Sequence, residues 1–187
     1  MDRREFLKRA GVGSVALSSL PLLGERAWAD SKPRIRESGK IFHFLVLSAV
    51  PDTTDRLIIA GDGEFNAFVA EGGGSFDHFK AEGSPPLPLV ATGTWTAHEV
   101  LRFKPLAKHG VFQAGILVMR ATFHPQGKPP VNNVTVKVVC NLGPAGADTG
   151  QEEGVTVRFP GPPPVTFEPV MPTVGVTVFS NANEPEC

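Results

Sequence analysis

Two stretches of the chain decide its fold: Val90 to Phe103, VATGTWTAHEVLRF, and Gly110 to Phe123, GVFQAGILVMRATF. Both are rich in β-branched and aromatic residues, and the first alternates between two faces with the period of two that is typical of a β-strand. In the second, Ile116 to Met119 make both faces apolar, so we expect this strand near the centre of a sheet.

The alternation in the first stretch assigns its side chains to two faces. One face is expected to carry Trp95, Ala97, Glu99, Leu101 and Phe103. The opposite face is expected to carry Thr94, Thr96, His98 and Arg102.

Shorter strands are predicted on both sides of this pair. They cover residues 41–47, 57–60, 64–70, 134–140, 155–159, 165–167 and 174–179. The sequence Gly61-Asp62-Gly63 predicts a hairpin turn between 57–60 and 64–70, and the triplet Gly72 to Gly74 predicts a break in the next strand. Three consecutive prolines, Pro162 to Pro164, predict an extended linker.

About nine strands and no long amphipathic helix predict a single all-β domain, built either as a small β-barrel or as a β-sandwich. We favour the barrel, because two long adjacent strands suit a tilted barrel wall. A barrel would make an interior pocket available, whereas a sandwich would place function on the loops at its ends.

The first 29 residues have the composition of an export signal. Its parts are a basic start, a short apolar run and a small-residue cleavage sequence: Arg3 and Arg4, Ala10 to Leu23, and Ala27 to Ala29. This arrangement resembles the twin-arginine (Tat) signal peptides, although Asp2 stands where that family usually has Ser or Thr. The resemblance implies recognition by the Tat translocase, cleavage after Ala29, and a folded domain 30–187 that is periplasmic or secreted.

The charge of the chain argues against nucleic acid and anionic membranes as partners, and its hydropathy argues against a membrane anchor. The chain has a net charge of −1, and residues 1–29 hold five of its 18 basic and three of its 19 acidic residues. The remaining domain is therefore mildly acidic, which argues against binding nucleic acid or an anionic membrane surface. No second long apolar run follows the signal, so we expect a soluble domain with no stable membrane anchor.

The two cysteines, Cys140 and Cys187, would be exported to a compartment that permits disulfides. A Cys140–Cys187 bridge would tie the C-terminus to a central strand. The alternative is a buried Cys140 and a free Cys187, because spacing alone does not bring two thiols within bonding range.

The five histidines form no compact metal motif, but strands can bring distant ligands together. His98 and His124 each lie near the end of a long predicted strand, and Asp77 and His78 lie in the predicted loop that begins at Gly74. If these segments converge, the four residues would suit zinc, copper or iron. Some Tat substrates load a cofactor before export, which adds support for a transition metal. The alternative is that these residues are scattered over surface and turns.

Candidate catalytic residues are few. A nucleophile elbow of the G-x-S-x-G type is absent. The acid/base candidates are His98, Glu99, Arg102 and Arg120, on the two long strands. The alternative for both arginines is an outward position on a solvated face of the sheet.

The sequence leaves three functions open. The first is an exported, non-catalytic β-domain that binds a small ligand or a partner protein. The second is an extracytoplasmic enzyme, metal-assisted or acid/base, with its site in a barrel mouth. The third is a structural protein of the cell envelope, which would need an exposed apolar patch.

The export signal predicts a defined mature protein. Protein recovered after export should begin at Asp30, and a host that lacks the Tat translocase should export none. Intact mass spectrometry tests both statements, and a mass two protons below that of the free thiols would demonstrate the disulfide. Export of an uncleaved chain would contradict the assignment of residues 1–29.

Overall fold

The computed structural model describes residues 39–143 and 148–181. In these ranges the chain forms nine strands, and no helix is long and apolar enough to cross a membrane. The strands are β1 Lys40–Ala49, β2 Asp55–Phe65, β3 Val69–Lys80, β4 Leu89–His109, β5 Phe112–Pro125, β6 Val131–Cys140, β7 Gly154–Phe159, β8 Val165–Pro169 and β9 Gly175–Asn181.

Strands β1 to β8 form a closed antiparallel barrel. Each strand pairs with the next, and β8 pairs back to β1 through Ser48–Pro169 and Ala49–Glu168. Strand β9 is the extra strand: it pairs with residues 40–46 of β1 and contacts β5 at the Phe112–Ser180 pair. The predicted all-β fold, the preference for a barrel and the number of strands are confirmed.

A layer of aromatic rings fills the centre of the barrel around Trp95, which is 1% exposed. The indole stacks on Phe44 and Phe123, with ring centroids 5.7 Å and 6.2 Å away. Its Nε1–H donates a hydrogen bond of 2.9 Å to the carbonyl oxygen of Ala60 in β2. This bond satisfies the buried polar atom that a tryptophan carries into an apolar core.

Two further aromatic groups lie toward the two ends of the barrel. At the end where β1 begins, Phe65 packs edge-on against Phe103 and Phe179, with centroids 4.9 Å and 5.9 Å away. At the opposite end, Phe159 packs edge-on against Phe167, with centroids 6.0 Å apart. A cavity of about 290 Å³ lies beside the first group, and a larger one of about 410 Å³ lies at the second.

The predictions for the glycine-rich segments are wrong. Residues 61–63 do not turn, because β2 runs through them, and the hairpin turn lies instead at residues 66–68, where the side chain of Asn66 accepts hydrogen bonds from two backbone amides. The triplet at 72–74 does not break β3 either. These glycines serve close packing: a Cβ on Gly61 would lie 2.2 Å from Cζ2 of Trp95, and one on Gly74 would lie 2.0 Å from the carbonyl oxygen of Ala60.

The predicted faces of β4 are correct up to Ala97 and again at Phe103, which packs on the core, but not at Glu99 and Leu101 between them. Trp95 and Ala97 are buried as expected, but the register shifts after Ala97 and again after Val100. Each β-bulge inserts an extra residue and exchanges the two faces. Val100 is therefore buried, and Leu101, which was assigned to the face of Trp95, is exposed.

Cys140 ends β6 in the core. Its thiol donates to the carbonyl oxygen of Thr177 at 3.3 Å, and burial raises the pKa of the thiol. Cys187 and the export signal lie outside the described residues, so the predictions of a disulfide and of residues 1–29 as a signal stay predictions.

Substitution of Gly61 tests the central packing. Gly61→Ala should lower the free energy of unfolding by about 1–3 kcal/mol, because the new methyl group forces the indole or the strand to move. Urea denaturation measures this cost. In a Trp95→Leu background the same substitution should cost less, and equal costs in both backgrounds would contradict the proposed clash.

Candidate functional site

An open cavity of about 410 Å³ lies at the end of the barrel where β1 ends and β2 begins. Six elements contribute to its wall because the ends of neighbouring antiparallel strands meet there. The lining residues are Val50, Asp55, Leu57, Phe76, His78, Ala91, Pro125, Phe159, Val165 and Phe167.

Most of this wall is apolar. Leu57, Phe76 and Phe167 belong to the buried core and present their side chains to the cavity from β2, β3 and β8. Phe76 and Phe159 both pack on Phe123, each with centroids 5.0 Å apart, so the aromatic wall is continuous with the packed interior. The cavity is thus an unfilled extension of the hydrophobic core.

A cluster of three charged or titratable side chains, Asp55, His78 and Lys80, lies at one side of the cavity. Nε2 of His78 lies 2.7 Å from Oδ1 of Asp55, and Nζ of Lys80 lies 3.2 Å from Oδ2 of the same carboxylate. The side chains of Asp55 and His78 are each 23% exposed. Both oxygens of the carboxylate are therefore used by partners from β3.

The pairing of β2 with β3 explains this cluster. Asp55 is the Cα partner of Lys80, and Leu57 is the partner of His78. His78 and Lys80 are two residues apart and share one face of β3, so both reach the carboxylate that begins β2.

The carboxylate is held in its charged form. The hydrogen bond from His78 lowers the pKa of Asp55, burial opposes this effect, and Lys80 lowers the pKa further. The ionised Asp55 is then an acceptor that fixes the orientation of the imidazole.

This contact also defines the other nitrogen of His78. When Nε2 of a neutral imidazole carries the hydrogen that it donates, Nδ1 carries a lone pair. Within the described part of the chain, Nδ1 has no hydrogen-bond partner. The ring itself is held edge-on against Phe167, with centroids 5.2 Å apart and planes at 81°.

The four predicted metal ligands do not come together. His78 lines the cavity, whereas Asp77 and the two other histidines are exposed on the outer surface. There His98 pairs with the hydroxyl of Thr122, and His124 pairs with the hydroxyl of Thr96. Among residues 39–143 and 148–181, no three His, Cys, Asp or Glu side chains are placed to hold a metal ion.

The predicted catalytic residues also lie outside the barrel. Arg120 donates to Glu99 at 3.0 Å, in an ion pair whose side chains are 43% and 53% exposed. Arg102 and His98 are exposed on β4. The outward position that was the alternative for the arginines is therefore the observed one.

Comparisons of the chain with protein-family models, with curated proteins and with solved structures found no match. The fold and the site define an eight-stranded barrel with an apolar cavity and a His–Asp–Lys cluster at its mouth.

Sequence reasoning missed Asp55 and Lys80. The signal that would have found them is Asn66, whose side chain organises the turn at 66–68. A hairpin centred on that turn places Asp55 opposite Lys80 and next to His78.

The ionised Asp55 makes a testable contribution to stability. Because its folded-state pKa lies below its ordinary value of 3.8, the contribution is fully present above that value and is lost as the pH falls through the folded-state pKa. We expect Asp55→Asn to have a lower free energy of unfolding than wild type at neutral pH. At low pH, where Asp55 of the wild type is protonated, the two free energies should approach each other. Urea denaturation at several pH values measures both, and Asp77→Asn, an exposed carboxylate on the outer face of the neighbouring strand β3, is the matched control. A constant difference between Asp55→Asn and wild type at all pH values would contradict this role.

Proposed function

We propose that this domain binds a small, predominantly apolar molecule in the cavity at the barrel mouth, with a polar group of that molecule at the cluster of Asp55, His78 and Lys80. The observation that carries the proposal is the combination of an aromatic wall with a polar cluster at one side. An apolar wall rewards burial of hydrocarbon, and a localised polar cluster fixes orientation.

The dimensions and position of the cavity support this proposal. Its volume of about 410 Å³ falls in the range of about 300–1,000 Å³ that is typical of small-molecule sites. The rings of Trp95 and Phe123 fill the barrel below the cavity, so a bound molecule would stay at the mouth. Entry would not require the barrel to open.

The chemistry of the wall limits the ligand. A sugar or a free ion would leave many polar atoms against Leu57, Phe76 and Phe167, which offer no hydrogen bonds. A ring system or a branched hydrocarbon with a carbonyl group would match both parts of the site, since Lys80 is an ammonium with three donors and Asp55 uses only part of this capacity.

The site of action is a separate proposal that rests on residues 1–29. Their resemblance to Tat signals supports export, so we propose that the ligand is met in the periplasm or outside the cell.

A second candidate function is contact with a partner protein or an envelope assembly. Leu45 of β1 and Val176 of β9 are opposite each other and each is 53% exposed, and Ile58 of β2 is 40% exposed. This outer patch is apolar, as such a contact would require. We rank it second because this patch is open to solvent on the outer face, whereas the cavity surrounds a ligand with side chains from several strands.

Filling the cavity tests the proposed binding. The full-length protein should bind α-tetralone, a bicyclic ketone, and should not bind glucose, as measured by titration calorimetry. Ala91→Phe projects a ring into the cavity and should weaken binding by at least about tenfold. Val165→Trp, at the exposed rim, is a second variant that does not disturb the core.

The matched control is Thr94→Phe, which adds the same ring to an exposed position of β4. It should change the affinity by less than about twofold. Equal affinity of wild type, Ala91→Phe and Val165→Trp for α-tetralone would place binding elsewhere and would contradict the proposal.

A further inference from the structure

We propose that His78 is a catalytic base that removes a proton from the carbon next to the carbonyl group of a bound apolar ketone or aldehyde, with Asp55 as its positioning residue. This inference rests on the proposed binding function and adds a reaction to it. The domain would then be an enzyme that needs no metal or organic cofactor for this step.

The first support is the tautomer of His78. Because Nε2 donates to Asp55 at 2.7 Å, the lone pair of the neutral ring is on Nδ1, and no described residue occupies that nitrogen. A histidine nitrogen with a free lone pair beside an apolar cavity is suited to accept a proton from a bound molecule.

The second support is the pairing of His78 with Asp55. Proton transfer to Nδ1 creates an imidazolium, which the adjacent carboxylate stabilises without becoming protonated itself. Asp55 suits this role because its hydrogen bonds keep the pKa of its carboxyl group low. The T-shaped contact with Phe167 holds the ring against rotation.

The third support is the ammonium of Lys80. It binds Oδ2 of the carboxylate whose Oδ1 binds His78, so the cation and the base lie on the same side of the cavity. A carbonyl oxygen that accepts a hydrogen bond from Lys80 would develop negative charge as the proton leaves. The ammonium, whose side chain is 44% exposed at the edge of the cavity, offsets that charge.

The proton and the electrons balance within this set of groups. The α C–H bond breaks, an N–H bond forms at Nδ1, and the electron pair of the C–H bond moves into the enolate and onto the carbonyl oxygen. Return of a proton from Nδ1 to the α carbon gives exchange with solvent. Return to the far carbon of a conjugated system gives a shifted double bond. Neither outcome requires an oxidant, a reductant or a co-substrate.

The environment leaves few competing groups. Asp55 and His78 are the titratable side chains among the residues that line the cavity, and Lys80 lies beside them. The other histidines that the structure describes are exposed and absent from the lining. A change at His78 therefore removes the histidine of the described lining and leaves the Asp55 carboxylate paired with Lys80.

Deuterium exchange tests this reaction directly. The full-length protein and α-tetralone are mixed in D₂O, and NMR follows loss of the signal from the protons next to the carbonyl group. We expect exchange above the uncatalysed rate that saturates with ketone concentration. His78→Gln should lower the saturated rate by about 100-fold or more.

Two variants separate catalysis from structure. Asp55→Asn should lower the saturated rate by at least about tenfold while the half-saturating ketone concentration stays within twofold, because its role is exerted through His78. The His43→Gln variant, which changes an exposed histidine on the outer face of β1, should catalyse exchange of the ketone protons at the wild-type rate. Circular dichroism establishes that each variant is folded, and His78→Asn replaces His78→Gln if the latter does not fold.

The failures of the two proposals differ. Binding of α-tetralone by calorimetry without enzyme-dependent exchange would overturn the catalytic proposal and leave the binding proposal standing. Absence of both would overturn both. Exchange that is unchanged in the folded His78 variants would assign the activity to another group and would also overturn this inference.

Discussion

The rest of the structure depends on how the Trp95 indole packs in the barrel, against backbone where glycines carry no side chain. The indole extends from β4 across β3 to β2, where Gly61 carries no Cβ at the point of contact. The indole hydrogen bond to Ala60 fixes the ring, and Gly74 leaves room beside the same carbonyl. One buried ring thus dictates the composition of two strands.

The cavity is a consequence of how the remaining aromatic residues are distributed. Phe65, Phe103 and Phe179 converge at one end because β9 lies along the first half of β1 and brings Phe179 into contact. Strand β8 meets β1 only at its last two residues. The opposite end therefore has a shorter wall, and its aromatic residues surround the space instead of filling it. A carboxylate and a histidine are tolerated there because they pair with each other while part of each remains in water.

Much of the fold followed from sequence periodicity, whereas the site did not. Strands β1 and β4 to β9 were predicted from runs of apolar residues, which alternate where one face is buried and are continuous where both are. Gly61 and the triplet at 72–74 were misread as turns, since a local pattern does not reveal that a distant Trp95 needs their space. That error put the predicted β2–β3 hairpin at the wrong residues, so the prediction did not bring Asp55 close to His78. The bulges of β4 had a similar effect: they reverse the faces without any clear signature in the sequence.

The closing contact of the barrel joins its first strand to its eighth. Ser48 and Ala49 pair with Pro169 and Glu168, more than one hundred residues later, through only two pairs. Contacts of such separation form late in folding, because the entropy of closing a long loop must be overcome first. Val50 follows β1 and Phe167 lies in β8, next to this closing contact, and both residues line the cavity. A molecule held at the mouth would contact both sides of this closing contact and would favour the closed barrel over a chain in which β8 has separated from β1.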